Sequence, residues 1–285
     1  MAERKGKMPG LILEGGTFRA IFSAGCMDAL LAHHVMFPYC IGVSAGITDA
    51  FSYISRQKGR NLDMLVDLRH DKRYVGKRNF LKSRSLFGLD FAYDTVPNQL
   101  YPFDWETFYQ YKGKILVGVT NAETGEAEYM DGRKLDKRCM MLRATCAIPL
   151  LFPEIEIDGK IYYDGGLRDP IPIRRAIEDG NKKNLILLTR PKGYRKELNK
   201  STRMAAAVLN KKYPKLYPLF LTRHMAYNKT VEYCERLEAE GRAVILRPSH
   251  PIESLEKDVA VIRANYEMGY TLAEEKVEEI KALWR

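Results

Sequence analysis

The chain of 285 residues is 46% hydrophobic and has a formal net charge of +10, a composition that fits a globular protein with a sizeable core and excludes an intrinsically disordered chain. No apolar run approaches the roughly 20 residues that cross a bilayer as a helix, and the five cysteines are scattered without a C-x-x-C pair, which favours reduced, unligated thiols over a metal site. The positive charge indicates attraction to an anionic surface, whether phospholipid, nucleic acid or acidic protein.

The N-terminus, M-A-E-R-K-G-K-M-P-G, is charged and leads directly into the first apolar run. It has neither the apolar segment nor the small-residue cleavage site of a signal peptide. We therefore expect a cytoplasmic protein.

Four apolar runs of strand length alternate with stretches of helical period, a pattern typical of parallel strands joined by crossover helices. Because strands that are apolar throughout are covered on both faces, we expect an α/β fold with three layers. The predicted strands are G-L-I-L at residues 10–13, Y-C-I-G-V at 39–43, K-I-L-V-G-V-T at 114–120 and N-L-I-L-L-T at 184–189.

The basic and aromatic segment, residues 69–93, has seven Lys or Arg residues before residue 85 and several aromatic residues among and after them. This composition suits a surface that docks on an anionic membrane at its inner face. It suits equally a solvated helix face with aromatic rings in the core. The residues are Arg69, Lys72, Arg73, Lys77, Arg78, Lys82 and Arg84, with Tyr74, Phe80, Phe87, Phe91 and Tyr93.

Charged helices predominate from residue 197 onward, with one late strand, A-V-I-L, and a closing helix. We predict a main domain over residues 8–196 and a mostly helical C-terminal region over residues 197–285 that packs on it. No linker rich in Pro, Gly or Ser marks the boundary.

The stretch G-V-S-A-G places Ser44 between Gly42 and Gly46, after an apolar strand and before a stretch of helical period. Such a sharp strand-to-helix turn can expose a serine oxygen as a nucleophile. A serine hydroxyl is a poor nucleophile unless a base takes its proton. The motif alone therefore leaves two interpretations open, a nucleophile or an ordinary turn.

The segment E-G-G-T-F-R-A, residues 14–20, follows the first predicted strand and opens the first helix. Consecutive backbone N–H groups at such a position bind anions, helped by the helix dipole. Only Gly15 and Gly16 of a dinucleotide fingerprint are present, so nucleotide binding is disfavoured. Because this loop and the Ser44 turn both follow parallel strands, we expect them at the same end of the sheet, with the loop as an oxyanion hole.

The segment I-Y-Y-D-G-G, residues 161–166, offers a base. None of the histidines stands in a predicted strand-end loop, whereas Asp164 follows a short β-type run and precedes Gly165 and Gly166, which allow close approach. Asp164 would accept the serine proton directly, although a tight D-G turn explains the same residues. We expect Asp169, in the same loop, to bond local backbone N–H groups.

Together, these three segments resemble those of the patatin-like phospholipases, in particular the bacterial group, which have a glycine-rich loop, a G-x-S-x-G serine and a D-G-G or D-G-A aspartate in this order. The resemblance extends to A-T-C-A-I-P-L-L-F-P-E at residues 144–154 and to the late A-V-I-L-R-P-S. It implies a three-layer α/β/α sandwich with a mainly parallel sheet. It also implies hydrolysis of phospholipids or other acyl-ester lipids by a serine–aspartate dyad, without a metal or cofactor. The residues that match the family's motifs are Ser44 and Asp164 as the dyad, Gly42 and Gly46 at the nucleophile turn, Gly15, Gly16, Thr17 and Arg19 in the oxyanion loop, and Gly165 and Gly166 after the aspartate.

Thr17 and Ala20 depart from the family's loop, which has glycines at both positions. A β-branched residue is strained where φ is positive, so an alternative function is a weakly active or inactive scaffold that binds lipid or protein. Nucleic-acid binding rests on net charge alone, without a recognition motif, and we do not expect it.

Overall fold

The computed structural model describes residues 8–285. Residues 1–7, which enter the prediction of a cytoplasmic protein, lie outside the described residues. Within residues 8–285, eight strands form one mixed sheet. The strands are β1 (Gly10–Leu13), β2 (Tyr39–Val43), β3 (Lys114–Asn121), β4 (Ala127–Asp131), β5 (Ile155–Ile157), β6 (Lys160–Asp164), β7 (Asn184–Leu187) and β8 (Ala243–Leu246).

Helices account for most of the remaining structure in the described part of the chain. None of the helices in residues 8–285 has both the length and the apolarity needed to cross a membrane. The α-helices are α1 (Ile21–Ala32), α2 (Ser44–Ile54), α3 (Arg60–Leu68), α4 (Lys77–Ser83), α5 (Trp105–Gln110), α6 (Met140–Thr145), α7 (Ile173–Glu178), α8 (Lys200–Asn210), α9 (Leu216–Ala239), α10 (Val259–Glu275) and α11 (Val277–Lys281). A π-helix covers Phe91–Leu100, and 3₁₀-helices cover Thr17–Ala20, Gly132–Lys134, Gly165–Leu167 and Ala282–Trp284.

The parallel strands stand in the order β3-β2-β1-β7-β8, with β1 in the middle. Strands β4 and β6 pair with β3 in the antiparallel direction, and β5 pairs in the same way with β6. The prediction of an α/β fold with a mainly parallel sheet is confirmed. The sequence patterns do not reveal β4 and β5.

Side chains of the central strands alternate between two cores. Leu11 and Leu13 of β1 pack on one face of the sheet, in a cluster with residues of α1 and α2. Ile12, between them, packs on the other face with Tyr227 and Val231 of α9. Helices therefore cover both faces, and the expected three-layer α/β/α arrangement is confirmed.

The residues after 197 contribute to all three layers. Helix α9 packs on one face of the sheet, β8 extends the sheet beyond β7, and α10 packs along α1 on the opposite face. The division of the chain at residue 196 stays a prediction.

Helices α1 and α10 approach each other through two glycines. A Cβ atom on Gly25 would lie 2.1 Å from the carbonyl oxygen of Tyr266, and one on Gly269 would lie 2.0 Å from the carbonyl oxygen of Phe22. Both contacts are with helix backbone, which moves aside only if the helices separate. Because α1 follows the 14–20 loop directly, this packing also fixes the position of that loop.

We predict that Gly269→Ala destabilises the protein, although alanine is about 1 kcal/mol more favourable than glycine in an isolated helix. Overpacking of a tight contact typically costs about 1–3 kcal/mol, so the midpoint of urea unfolding should fall. Gly76→Ala is the control, because a Cβ at Gly76 would have no atom within 4 Å. An unchanged or higher midpoint for Gly269→Ala would contradict the close packing of α1 on α10.

Candidate active site

Ser44 lies on a sharp turn between β2 and α2. Its φ is 54°, in the left-handed region that residues other than glycine rarely adopt. The flanking glycines allow this turn to pass close to β1. A Cβ at Gly42 would lie 2.6 Å from the Cβ of Leu13, and one at Gly46 would lie 2.4 Å from the carbonyl oxygen of Glu14. A strained strand-to-helix turn of this kind is typical of a nucleophile elbow.

Thr145 holds the backbone of the turn. Its hydroxyl oxygen accepts a hydrogen bond from the Ser44 amide at 2.8 Å and donates one to the carbonyl oxygen of Gly118 at 2.6 Å. Thr145 is fully buried. The sequence does not single it out as a functional residue, although it belongs to the A-T-C-A-I-P segment that carries part of the family resemblance.

Asp164 ends β6 on the same side of β3 as Ser44. Val119 of β3 pairs on one side with β4 and on the other with Asp164. The preceding Gly118 pairs with β4 and with Val43 of β2. Since β4 occupies one side of β3 throughout, β2 and β6 share the other side, and their ends are neighbours.

The Asp164 carboxylate is buried beside Ser44, with the residue 8% exposed. Its Oδ1 accepts a hydrogen bond from the Gly166 amide at 2.7 Å. Burial raises the pKa of Asp164, while hydrogen bonds from Ser44 and Gly166 and the charges of Arg223 and Lys196 act in the opposite direction. A buried carboxylate with a raised pKa that lines the same cavity as a serine is suited to accept its proton.

The 14–20 loop lies against Ser44. A Cβ at Gly15 would lie 2.7 Å from the Cβ of Ser44, so a larger residue does not fit there. Within residues 8–285, the amides of Gly15, Gly16 and Thr17 have no hydrogen-bond acceptor. Neighbouring N–H groups beside a serine are suited to stabilise negative charge on an attacked carbonyl oxygen.

The two departures from the family's loop differ in their consequences. Thr17 has a φ of 51°, which strains its β-branched side chain. Its hydroxyl lies 2.6 Å from the carbonyl oxygen of Ser254, and the guanidinium of Arg19 donates to the Ser254 hydroxyl. These bonds tie the loop to the segment before α10. Ala20 is fully buried with a φ of −64°, a conformation that strains no residue.

Two cavities meet at Ser44. The apolar cavity, of about 160 Å³, extends between α2, α3 and the π-helix. The cationic cavity, of about 300 Å³, adjoins the 14–20 loop and the β6 end. The apolar cavity is lined by residues that include Phe18, Phe51, Leu65, Phe87, Tyr93 and Phe152, and the cationic cavity by residues that include Arg19, Asp164, Arg190, Lys196 and Arg223.

The basic and aromatic segment 69–93 divides between the site and the surface. Phe87 and Tyr93 line the apolar cavity, and Phe87 stacks on Phe152 with their ring centroids 5.5 Å apart. Arg69 is buried and donates to two backbone carbonyls. Helix α4, by contrast, exposes its basic side chains. Tyr74 also lines the apolar cavity, so three of the five aromatic rings of this segment belong to the interior.

None of the histidines in residues 8–285 lines either cavity. These residues also contain no group of three or more His, Cys, Asp or Glu side chains arranged to hold a metal ion. The expectation that Asp169 bonds backbone N–H groups is wrong. Its carboxylate accepts a hydrogen bond from the Tyr129 hydroxyl at 2.5 Å, because β4 brings that ring across the loop, and Asp169 lines neither cavity.

Comparison with protein families agrees with the motifs. Residues 11–177, more than half of the chain, match the model of the patatin-like phospholipases. The chain belongs to the patatin-like phospholipase family. The resemblance seen in the sequence is thus confirmed. Residues 213–285 match a second model, described as a domain of unknown function (DUF6363).

Two relatives and one solved structure are similar to the chain. The uncharacterized protein YjjU of Escherichia coli strain K12 is 23% identical over 269 residues, which cover 91% of this chain and 74% of YjjU. The probable lipid hydrolase 463L of Invertebrate iridescent virus 6 is 25% identical over 202 residues, which cover 61% of this chain and 65% of the viral protein. The crystal structure of VipD from Legionella pneumophila aligns with a TM-score of 0.49 and 14% identity, over 95% of this chain and 67% of VipD.

We predict that Thr145→Val lowers the free energy of unfolding by about 1–3 kcal/mol, because the Ser44 amide would lose its acceptor in a buried place. Thr145→Ser keeps the hydroxyl and is the control. Urea unfolding measures the stability, and the rate of labelling by a fluorophosphonate, which reacts with activated serines, reports the geometry at Ser44. Equal stability and labelling of the valine variant and the wild type would contradict the anchoring role of Thr145.

Proposed function

We propose that the protein hydrolyses carboxylic esters of lipids, with Ser44 as the nucleophile and Asp164 as the base. The observation that supports this most strongly is that Ser44, on its strained turn, and the buried Asp164 carboxylate line one cavity beside the 14–20 loop, at the point where that cavity meets the apolar one. Membership of the patatin-like phospholipase family supports lipid acyl hydrolysis in general. Similarity to a viral protein named as a probable lipid hydrolase supports it too.

In the first step, the Ser44 oxygen attacks the ester carbonyl carbon while its proton moves to Asp164. The amides of Gly15, Gly16 and Thr17 stabilise the negative charge that develops on the carbonyl oxygen. When the tetrahedral intermediate collapses, the bond from carbon to the alcohol oxygen breaks, and Asp164 gives its proton to the leaving alkoxide. The acyl group is then an ester of Ser44.

In the second step, Asp164 takes a proton from water, and the water oxygen attacks the acyl carbon. Collapse of the second intermediate breaks the bond to Ser44, returns the proton to the serine oxygen and releases the carboxylic acid. Burial raises the pKa of Asp164, which makes it a better base than an exposed aspartate in both steps.

The apolar cavity would hold the acyl chain. Its lining is mainly aliphatic and aromatic, and Phe18 and Phe87 lie in edge-to-face contact with ring centroids 5.7 Å apart. Each methylene group that enters such a cavity contributes about 0.8 kcal/mol. The cavity therefore favours substrates with an extended hydrocarbon chain over small acyl groups.

The alternative function, lipid or protein binding without catalysis, is motivated by the strain at Thr17, where φ is 51°. The strain does not remove the Thr17 amide as a hydrogen-bond donor. The hydrogen bond from the Thr17 hydroxyl to the Ser254 carbonyl oxygen also offsets part of the strain energy. A binding module would also have no use for a serine on a strained turn that shares a cavity with the buried Asp164. Hydrolysis thus explains more of the site.

We predict that Asp164→Asn lowers kcat for a short-chain soluble ester by about 10²–10⁴-fold, because an amide does not accept the serine proton. Asp169→Asn is the matched control, since it makes the same change in the same loop at a side chain that lines neither cavity. Ser44→Ala gives the background rate. A folded Asp164→Asn enzyme with near wild-type kcat would exclude the dyad, and a wild-type protein inactive on every ester would favour the binding module.

We also propose that α4 docks the protein on anionic lipid at the cytoplasmic face of a membrane. Leu81 of α4 is 85% exposed, more than any other large apolar side chain in residues 8–285. Its helix is connected to the rim of the cationic cavity, because the Leu86 amide donates to the carbonyl oxygen of Leu151 at 2.9 Å and both leucines line that cavity. The exposed cations of α4 are Lys77, Arg78 and Lys82.

We predict that replacing Lys77, Arg78 and Lys82 with glutamine weakens binding to vesicles that contain anionic phospholipid, since each cation near such a surface contributes about 1 kcal/mol. High salt should weaken binding of the wild type as well, because the Debye length falls from about 10 Å at 0.1 M to about 3 Å at 1 M. The control replaces Arg133, Lys134 and Lys137, which are exposed elsewhere. If both triple variants bind vesicles equally, α4 is not the docking element.

A further inference from the structure

The cationic cavity has four basic side chains from three parts of the fold. Arg19 follows β1, Arg190 follows β7, Lys196 lies in the loop before α8, and Arg223 belongs to α9. Of these four, only Arg19 belongs to a motif that the sequence predicts, the 14–20 loop. The carboxylates that line the cavity are Glu14 and Asp164.

The basic side chains are not neutralised by ion pairs. Within residues 8–285, none of the four has a carboxylate oxygen within 4.0 Å. The buried Nε atoms of Arg19 and Arg223 have no hydrogen-bond partner in that part of the chain. Burial and the charge of Arg223 lower the pKa of Lys196 to about 7. Half-buried charge without an ion-pair partner is costly, and all four side chains are half-buried, so they are suited to bind an anion that the protein itself does not supply.

Aromatic rings and backbone bonds hold two of these cations in place. The Lys196 Nζ lies 4.5 Å from the ring centroid of Tyr227, and the Arg190 guanidinium lies 4.6 Å from that of Tyr194. The Lys196 backbone is fixed to α9 by two reciprocal bonds with the Asn228 side chain, at 2.8 and 3.0 Å. A cavity that is preorganised in this way binds an anion with little loss of side-chain entropy.

The formal charges indicate which anion fits. Four cations against two carboxylates give the cavity a formal charge of +2, or +1 when Lys196 is neutral. A phosphate monoester carries about −1.5 to −2 at pH 7. A choline phosphodiester is neutral as a whole and brings a cation of its own, and a glyceride has no charge.

We propose that the cationic cavity binds the phosphomonoester head group of the lipid whose ester Ser44 cleaves, so that acylglycerol phosphates are preferred over choline phospholipids and glycerides. This inference rests on the proposed function. The order of groups in the substrate agrees with the order of the cavities, because the ester of such a lipid lies between its hydrocarbon chain and its phosphate. With the ester at Ser44, the chain enters the apolar cavity and the phosphate enters the cationic cavity.

Hydrolysis of three lipids with identical acyl chains tests the preference. Phosphatidic acid, phosphatidylcholine and diacylglycerol are presented in micelles of a neutral detergent, which keeps the surface charge low. We expect kcat/KM for phosphatidic acid to exceed that for diacylglycerol by about tenfold or more, the effect of one or two charge-assisted hydrogen bonds. Lys196→Met and Arg190→Gln should reduce this ratio about tenfold, while Lys192→Gln, an exposed cation of the same loop, should leave it unchanged.

Binding to the Ser44→Ala variant separates the head-group proposal from catalysis. We expect calorimetry to show binding of glycerol 3-phosphate, and no binding once Lys196→Met is added, with thermal unfolding as the check that this double variant is folded. Equal hydrolysis of the three lipids would overturn the proposal, and so would binding of inorganic phosphate without a lipid preference, which would indicate a site for free phosphate. If no lipid is hydrolysed but glycerol 3-phosphate binds, the proposed hydrolase function fails and the phosphate site stands.

Discussion

Gly118 in β3 is the residue on which the geometry of the site depends. A Cβ at Gly118 would lie 2.8 Å from Cγ1 of Val43, and its carbonyl oxygen would lie 2.2 Å from a Cβ at Gly165. The same carbonyl accepts the Thr145 hydroxyl, which accepts the Ser44 amide. Because Gly118 has no side chain, the parallel strand β2 and the antiparallel strand β6 can end next to each other beside β3. The Ser44 turn and the Asp164 loop lie next to each other there, and no histidine of residues 8–285 lines the cavity that they share.

The environment of Ser44 follows from the layers around that point. Helices α2 and α3 and the π-helix supply an apolar cavity, whereas loops after the strands and α9 supply a cationic one. Helix α9 lies beyond the residues 11–177 that match the patatin-like family, and it contributes Arg223 and Tyr227 to the cationic cavity. The C-terminal region therefore takes part in the site, in addition to covering one face of the sheet.

Local sequence patterns reveal much of the fold because the parallel strands are short apolar runs with clear boundaries. Four predicted strands correspond to β1, β2, β3 and β7, and the late A-V-I-L run to β8. The strands β4 and β5 escape prediction because their residues are partly exposed and mixed in character. Ser44 and Asp164 stand in motifs whose glycines are visible in sequence, and the structure brings these two residues together. Thr145 and three of the cavity's basic residues, Arg190, Lys196 and Arg223, were not predicted. They come from distant segments that become neighbours only through packing, and no local sequence pattern relates such residues.

Covalent labelling shows whether Ser44 is an activated nucleophile. The full chain is treated with a fluorophosphonate, digested and mapped by mass spectrometry, with Ser44→Ala and Asp164→Asn treated in parallel. We expect one phosphonylated peptide that contains Ser44, no label in Ser44→Ala and strongly slowed labelling in Asp164→Asn, because the hydroxyl there lacks its base. Labelling at another residue, or a folded wild-type protein whose Ser44 does not react, would contradict the assignment of Ser44 as the nucleophile.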